Sequence, residues 1–137
     1  MIMPRITAFY AALSALLIVV LAIRVTLYRR SARIGIGDSG DHALAKRIRA
    51  HANAIELIPI ALILLLTAEL LVIDAVWLHV FGIVAVLGRV LHAWGLSKTG
   101  GVSFPRAAGY VLTLAAIIAM SIVLLWQSIA WWLTSSA

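Results

Sequence analysis

Four apolar stretches, each long enough to cross a bilayer as a helix, follow one another along this chain: Ile6 to Leu27, Ala52 to Ile73, Val76 to Trp94 and Ala107 to Leu133. A hydrocarbon core takes roughly 20 apolar residues per helical crossing, so four crossings use most of the 137 residues. Hydrophobic residues make up 64% of the chain and charged residues 12%, where a soluble domain carries about 25% charge. No soluble core of this size hides so much apolar surface. The stretches are rich in Ala, Leu, Ile and Val and lack the two-residue alternation of a barrel strand. That pattern predicts helices, in which every backbone N–H and C=O is satisfied within its own segment. The expectation is an all-α membrane protein, a single domain over residues 1–137 built as a bundle of four transmembrane helices.

The first stretch resembles a signal peptide in beginning near a single basic residue, Arg5. It is longer than a signal sequence's apolar region and runs to Arg24 and the Arg29–Arg30 pair without a clear small-residue cleavage site, so an uncleaved first helix with Met1 retained is expected. Pro59 is the proline inside a span; it leaves the Ile55 carbonyl without its helical donor and is expected to kink the second helix. Between the second and third helices stand Glu69 and Asp74 without a basic residue. Arg29, Arg30, Arg33, Lys46, Arg47 and Arg49 lie between the first two helices, and Lys98 and Arg106 between the last two. The positive-inside rule then puts both basic segments in the cytosol and both termini on the other side of a cell inner membrane. The net charge of +6 is accounted for by topology, and no nucleic-acid-binding pattern accompanies it. Trp77, Trp126, Trp131 and Trp132 fit an aromatic belt facing membrane lipids on the side away from the basic loops. The loop Ile34 to Asp41, IGIGDSGD, lacks the context of a phosphate-binding loop and reads as a chain reversal.

Composition does not explain the ionisable groups at the cytosolic ends of the helices. Lys46, Arg49, Asn53 and Glu56 recur at steps of three and four, which lays them along one stripe over about 15 Å of helix axis. Arg89 and His92 are three apart on the third helix, and Arg106 and Tyr110 four apart on the fourth. A charge inside hydrocarbon costs at least ~2.5 kcal/mol on insertion scales and faces protein or water. Glu56 is therefore expected to have a cationic partner, with Arg89 or Arg49 as candidates. The remaining cations are free to attract something anionic, a lipid headgroup or a soluble ligand. His42, His51, His79 and His92 do not form a tight pair with carboxylates at ligand spacing, so no metal site is expected.

Two runs carry a resemblance: RIRAHANAIELIP from Arg47 to Pro59 and GRVLHAWG from Gly88 to Gly95. They resemble the membrane-associated proteins in eicosanoid and glutathione metabolism, the MAPEG family, its bacterial branch above all, and are similar to microsomal glutathione transferase. Helix count, short loops and topology agree over most of the chain. The resemblance implies a homotrimer of four-helix protomers with glutathione, the cosubstrate, held between neighbouring subunits near the cytosolic face. It also implies a detoxifying glutathione transferase, with peroxidase activity also open, whose partners are hydrophobic electrophilic small molecules. By position it assigns glutathione binding to Arg49, Asn53, Glu56, Arg89, His92 and Tyr110, with Arg30 by a looser match. Arg106 looks like the catalytic residue that faces the thiol.

The chemistry of those residue types suits that ligand. Glutathione carries two carboxylates and one ammonium, which Arg forks and an acidic group would hold. A neighbouring guanidinium favours the thiolate, the nucleophilic form. The chain has no Cys, so a thiol mechanism imports its thiol. Ala52 and Ala107 stand where some members have Arg and a hydroxyl residue, and Leu57 and Leu96 where some have Tyr, so the binding stripe keeps the family pattern better than the thiol-activating set. Two alternatives stay open: a non-catalytic protein of the same fold that binds an anionic lipid, and one whose polar stripe serves trimer assembly.

Overall fold

Each apolar stretch nucleates a helix that continues beyond the hydrocarbon-length window. A computed structural model of the chain, describing residues 3–98, 101 and 103–135, contains α1 (Arg5–Ala32), α2 (His42–Leu70), α3 (Ala75–Lys98) and α4 (Phe104–Ser135). All four are long and apolar enough to cross a membrane, and the chain is a four-span helical membrane protein. Met1 lies outside the described residues. The helices have 28, 29, 24 and 32 residues, or about 42, 44, 36 and 48 Å at 1.5 Å per residue. The largest difference from the hydropathy windows is at α2, which starts at His42 rather than Ala52. Lys46, Arg47 and Arg49 end an apolar window but are good helix formers, and Asp41 caps them. Its carboxylate accepts hydrogen bonds from the N–H groups of Ala43 at 2.7 Å and Leu44 at 3.0 Å, as an N-cap residue does. The Tyr28 hydroxyl donates to the same carboxylate at 3.0 Å, and the Arg47 guanidinium lies 4.1 Å from the Tyr28 ring centre. The α1–α2 turn is thereby closed on itself, with Gly37 and Gly40 at φ +67° and +78° making the reversal. α2 runs unbroken past Pro59.

α2 and α3 form the middle of the bundle, with α1 and α4 on its flanks; among the described residues α1 and α4 do not touch. The most extensive contact is α3 against α4, and glycines set its closeness. A Cβ on Gly109 would stand 2.4 Å from the Gly88 carbonyl oxygen and 2.4 Å from the His92 nitrogen, and one on Gly95 would stand 2.5 Å from the Arg106 nitrogen. Small residues that let backbones touch are the usual device of membrane helix pairs. At the far end from the basic loops, α1 begins after Pro4 with no side-chain cap of its own. The buried Glu69 of α2 supplies one, accepting from the N–H groups of Ile6 at 2.9 Å and Thr7 at 2.6 Å. An anion at a helix N-terminus is favoured by the exposed amides and the helix dipole. Nearby, the buried Tyr10 places its hydroxyl 2.9 Å from His79 Nδ1 and donates to the His79 carbonyl at 3.2 Å. The outer surface is apolar, with Leu16, Val19, Ile23 and Leu27 of α1 and Ile118, Ile122 and Leu125 of α4 exposed. Trp77, Trp126 and Trp131 are exposed at the end away from the basic loops.

Two measurements check this packing. Gly109→Ala should lower stability by about 1–3 kcal/mol, the usual cost of overpacking, seen as a fall in the unfolding midpoint of the detergent-solubilised protein. Gly101→Ala, which meets nothing within 4 Å, should leave the midpoint unchanged. The Leu44 N–H above all, with Tyr28 and Ala43, holds the Asp41 carboxyl below the usual carboxylate range against the opposing effect of desolvation. A depressed folded value means that the cap's contribution is present above the unfolded value of about 3.9 and is lost as pH falls through the folded one. Amide exchange at Ala43 and Leu44, relative to intrinsic rates, should therefore quicken on acidification below about pH 4, and Asp41→Asn should abolish that step.

Candidate functional site

The α3–α4 contact also brings together, at the basic end, side chains from three helices. Arg49 and Asn53 of α2, His92 of α3, and Arg106, Ala107 and Tyr110 of α4 line one open groove of about 360 Å³. A second hollow of about 310 Å³ adjoins it, lined by His42, Ala45, Lys46 and Leu96 and sharing Arg49 and Arg106. Lys46, Arg49 and Arg106 are the Lys and Arg residues of this surface, and among the described residues no carboxylate lines it.

Each wall has a local cause. Asn53 donates from Nδ2 to the Arg49 carbonyl one turn back at 2.9 Å. The His92 ring is buried, with Nδ1 3.0 Å from the backbone carbonyl of Arg106, so α3 is tied to the first turns of α4. The Arg106 guanidinium donates to the Gly101 carbonyl at 3.4 Å, and is thus turned toward the α3–α4 connection. Tyr110, 43% exposed, lies with its ring centre 5.9 Å from that of His92.

The structure brings Arg49, Asn53, His92, Arg106 and Tyr110 into one place and leaves three expected site residues outside it. Arg89 is 3% exposed and lies inside the bundle rather than on the groove's lining. Its Nε donates to Thr113 Oγ1 at 2.7 Å, and its terminal nitrogens donate to the carbonyls of Asn53 at 3.3 Å and Gly109 at 3.2 Å. Glu56 is exposed on α2 and, among the described residues, has no ion-pair partner. The expected pair with Arg89 or Arg49 is not formed within the protomer, because Arg89 turns inward while Glu56 faces out. Arg30 is exposed at the end of α1 and lines a separate shallow depression with Arg29, Arg33, Ile34 and Gly35. Sequence reasoning missed Thr113, wholly buried and donating to the Gly109 carbonyl at 3.0 Å, and the role of Gly88 and Gly109. The available signal was spacing: Gly88 and Gly95 are seven apart on α3, and Gly109 and Thr113 four apart on α4, each pair on one helix face.

Fold and groove together define a four-span helical membrane protein with a basic, carboxylate-free groove between helices at one end. Comparison with known proteins narrows the class. The MAPEG family model matches residues 7–126. Inner membrane protein YecN of Escherichia coli (strain K12) is 36% identical over 121 residues, covering 88% of this chain and 91% of that protein. The same figures hold for Inner membrane protein YecN of Escherichia coli O6:H1 (strain CFT073). The chain belongs to the MAPEG family.

The separation of Arg89 from the groove makes a prediction. Arg89→Ala removes three donors from a buried junction and should cost about 3 kcal/mol of stability, given ~1–3 kcal/mol per buried group left unsatisfied. Arg49→Ala, at an exposed position, should stay within about 0.5 kcal/mol of wild type. Denaturant titrations of both variants in the same micelle would check the split.

Proposed function

We propose that the groove holds glutathione and that the protein is a membrane-bound glutathione transferase, adding the thiol to hydrophobic electrophiles that arrive through the bilayer. The observation that carries this reading is the convergence of Arg49, Asn53, His92, Arg106 and Tyr110, from three helices, on one groove without a carboxylate. Such a surface suits a ligand of net negative charge. Arg49 and Lys46 offer the ligand's carboxylates forked and point charges, Asn53 and Tyr110 offer hydrogen bonds to its amides, and Arg106 favours the thiolate over the thiol. Arg106 reaches the sulfur by turning from the Gly101 carbonyl into the groove.

The working form on this reading is a homotrimer in the inner membrane, with the basic end in the cytosol and both termini on the other side. The excess of Arg and Lys between α1 and α2 supports the orientation. The exposed Glu56 supports assembly: a carboxylate left facing lipid costs at least ~2.5 kcal/mol, and a neighbour's cation or a ligand ammonium would offset it. On this reading Arg30, exposed at the end of α1 and outside the protomer's own groove, would serve the groove of a neighbouring subunit.

A second reading has one observation in its favour. Ala107 gives the groove no hydroxyl beside Arg106, and three cations without a carboxylate also suit an anionic phospholipid headgroup bound without reaction. Calorimetric titration of glutathione into the detergent-purified protein separates the two. The transferase reading expects saturable binding, weakened at least about tenfold in Arg49→Ala by loss of charge-assisted bonds, with thiolate absorbance near about 240 nm at neutral pH. Absence of binding at millimolar glutathione, with phospholipid retained in native mass spectrometry, would reject it in favour of the lipid reading.

A further inference from the structure

Activating a thiol takes a positive charge to stabilise the thiolate and a base to take the proton. Arg49, Arg106 and Lys46 supply charge, but a guanidinium or an ammonium has no lone pair to accept with. No carboxylate lines the groove, and Ala107 brings no hydroxyl. On the groove's own lining the accepting side chains left are Asn53, Tyr110 and His92, of which only imidazole is a base near neutral pH; the other imidazole nearby, His42, lines the adjoining hollow with Lys46.

The surroundings of His92 fix which nitrogen is available. The Arg106 carbonyl, 3.0 Å from Nδ1, can only accept, so Nδ1 carries the hydrogen and the neutral ring has its lone pair on Nε2. That Nε2 is enclosed and has no hydrogen-bond partner among the described residues. An enclosed acceptor without a donor is unfavourable, because it has given up its bond to water and gained none in return. The groups around the ring do not relieve it: Tyr110 offers its ring at 5.9 Å, and Arg89, three residues back on α3, is committed to Thr113, Asn53 and Gly109. Arg106 of α4 and Arg49 of α2 are the cations that flank the groove beside the ring.

We propose that His92 Nε2 is the proton acceptor for the thiol bound in the groove. The S–H bond breaks, its proton goes to Nε2, and the electron pair stays on sulfur as a thiolate facing the Arg106 guanidinium. The imidazolium so formed keeps its Nδ1–H bond to the Arg106 carbonyl. One residue thus steadies both ions, through its main chain and its side chain. When the thiolate adds to an electrophilic carbon, the S–C bond forms and Nε2 returns the proton to the resulting carbanion or leaving group. Nε2 is enclosed in the free protein, so the bound ligand has to open the packing around the His92 ring, which includes the Tyr110 ring at 5.9 Å. The proposal rests on the glutathione reading and adds the base that reading lacks.

The test uses the full-length protein in lipid nanodiscs, ¹⁵N-labelled at histidine, with glutathione and S-methylglutathione as probes. In the free protein the His92 ring should show a protonated Nδ1 and an unprotonated Nε2. Saturating glutathione should protonate both nitrogens as thiolate absorbance appears. S-methylglutathione, which has no thiol proton, should bind and leave Nε2 unprotonated. In H92Q, with glutathione raised until the variant is saturated, the thiolate signal at pH 7 should fall at least about tenfold, the lower end expected for loss of a general base. Thiolate formation with the ring still neutral, or an undiminished thiolate signal in H92Q, would overturn the base assignment and leave glutathione binding standing. If neither probe binds, both readings fall. Should H92Q not fold, the nitrogen signals of the wild-type protein decide the question.

Discussion

The Arg89 guanidinium is the junction on which the other contacts at the basic end depend. A buried cation is tolerated only where its hydrogen-bonding capacity is met, and among the described residues no carboxylate meets it. The Asn53 carbonyl of α2 and the Gly109 carbonyl and Thr113 hydroxyl of α4 do so instead, with the Tyr110 ring centre 6.0 Å from the charge. The arrangement requires α4 to lie close to α3, which Gly88 and Gly109 permit. Gly109 thus has two functions, bringing the helices together and presenting its carbonyl. The groove inherits this geometry. The Asn53 backbone is tied to Arg89 while its side chain lines the groove, and His92, three residues along α3, meets the main chain of Arg106.

At the opposite end the same problem is solved with the opposite charge. α1 lacks contact with α4 and is fastened near its two ends by polar bonds. Glu69 takes the free amides of its first turn, and Tyr28, with Asp41 and Arg47, closes its last turns onto α2. Between these lie apolar contacts, with Leu21 packed near Ala50, Ala54 and Ile58. Lipid provides little hydrophobic drive for helix association, so bonds at the ends and close fit in the middle hold α1 in place.

The number of crossings and their helical character were legible in the sequence because hydropathy reports directly on environment; the three-and-four spacing put Arg49 with Asn53, and Arg106 with Tyr110, on shared faces, and the family resemblance grouped them with His92 as one site. The rest was not, for identifiable reasons. Hydropathy marks where a segment is apolar, and α2 begins where Asp41 caps it, among basic residues. Spacing shows that two residues share a face and leaves open what that face meets. Arg89 and His92 share one, yet the guanidinium enters the bundle and the ring meets Arg106. The stripe on α2 is continuous, yet Asn53 lines the groove while Glu56 faces out. Gly88 and Gly95 contributed to a family pattern in the sequence, and only the packing of α4 shows that they are contact surfaces.

Glu56 carries the argument beyond the single chain. It stands four residues into the apolar stretch that begins at Ala52, about 6 Å of helix axis from its start, toward the cytosolic end of the span. Lysine and arginine extend to a membrane surface from positions inside it, as the exposed Arg24 of α1 is able to do, more readily than the shorter glutamate. Protonation would reduce the cost without supplying a hydrogen-bond partner. The protomer therefore leaves on its outer face a polar group that lipid does not satisfy, one turn below the side of the groove lined by Asn53. A second copy covering that face would enclose Glu56 and complete the wall of the groove in one contact. Ligand binding and assembly would then depend on the same stripe of α2.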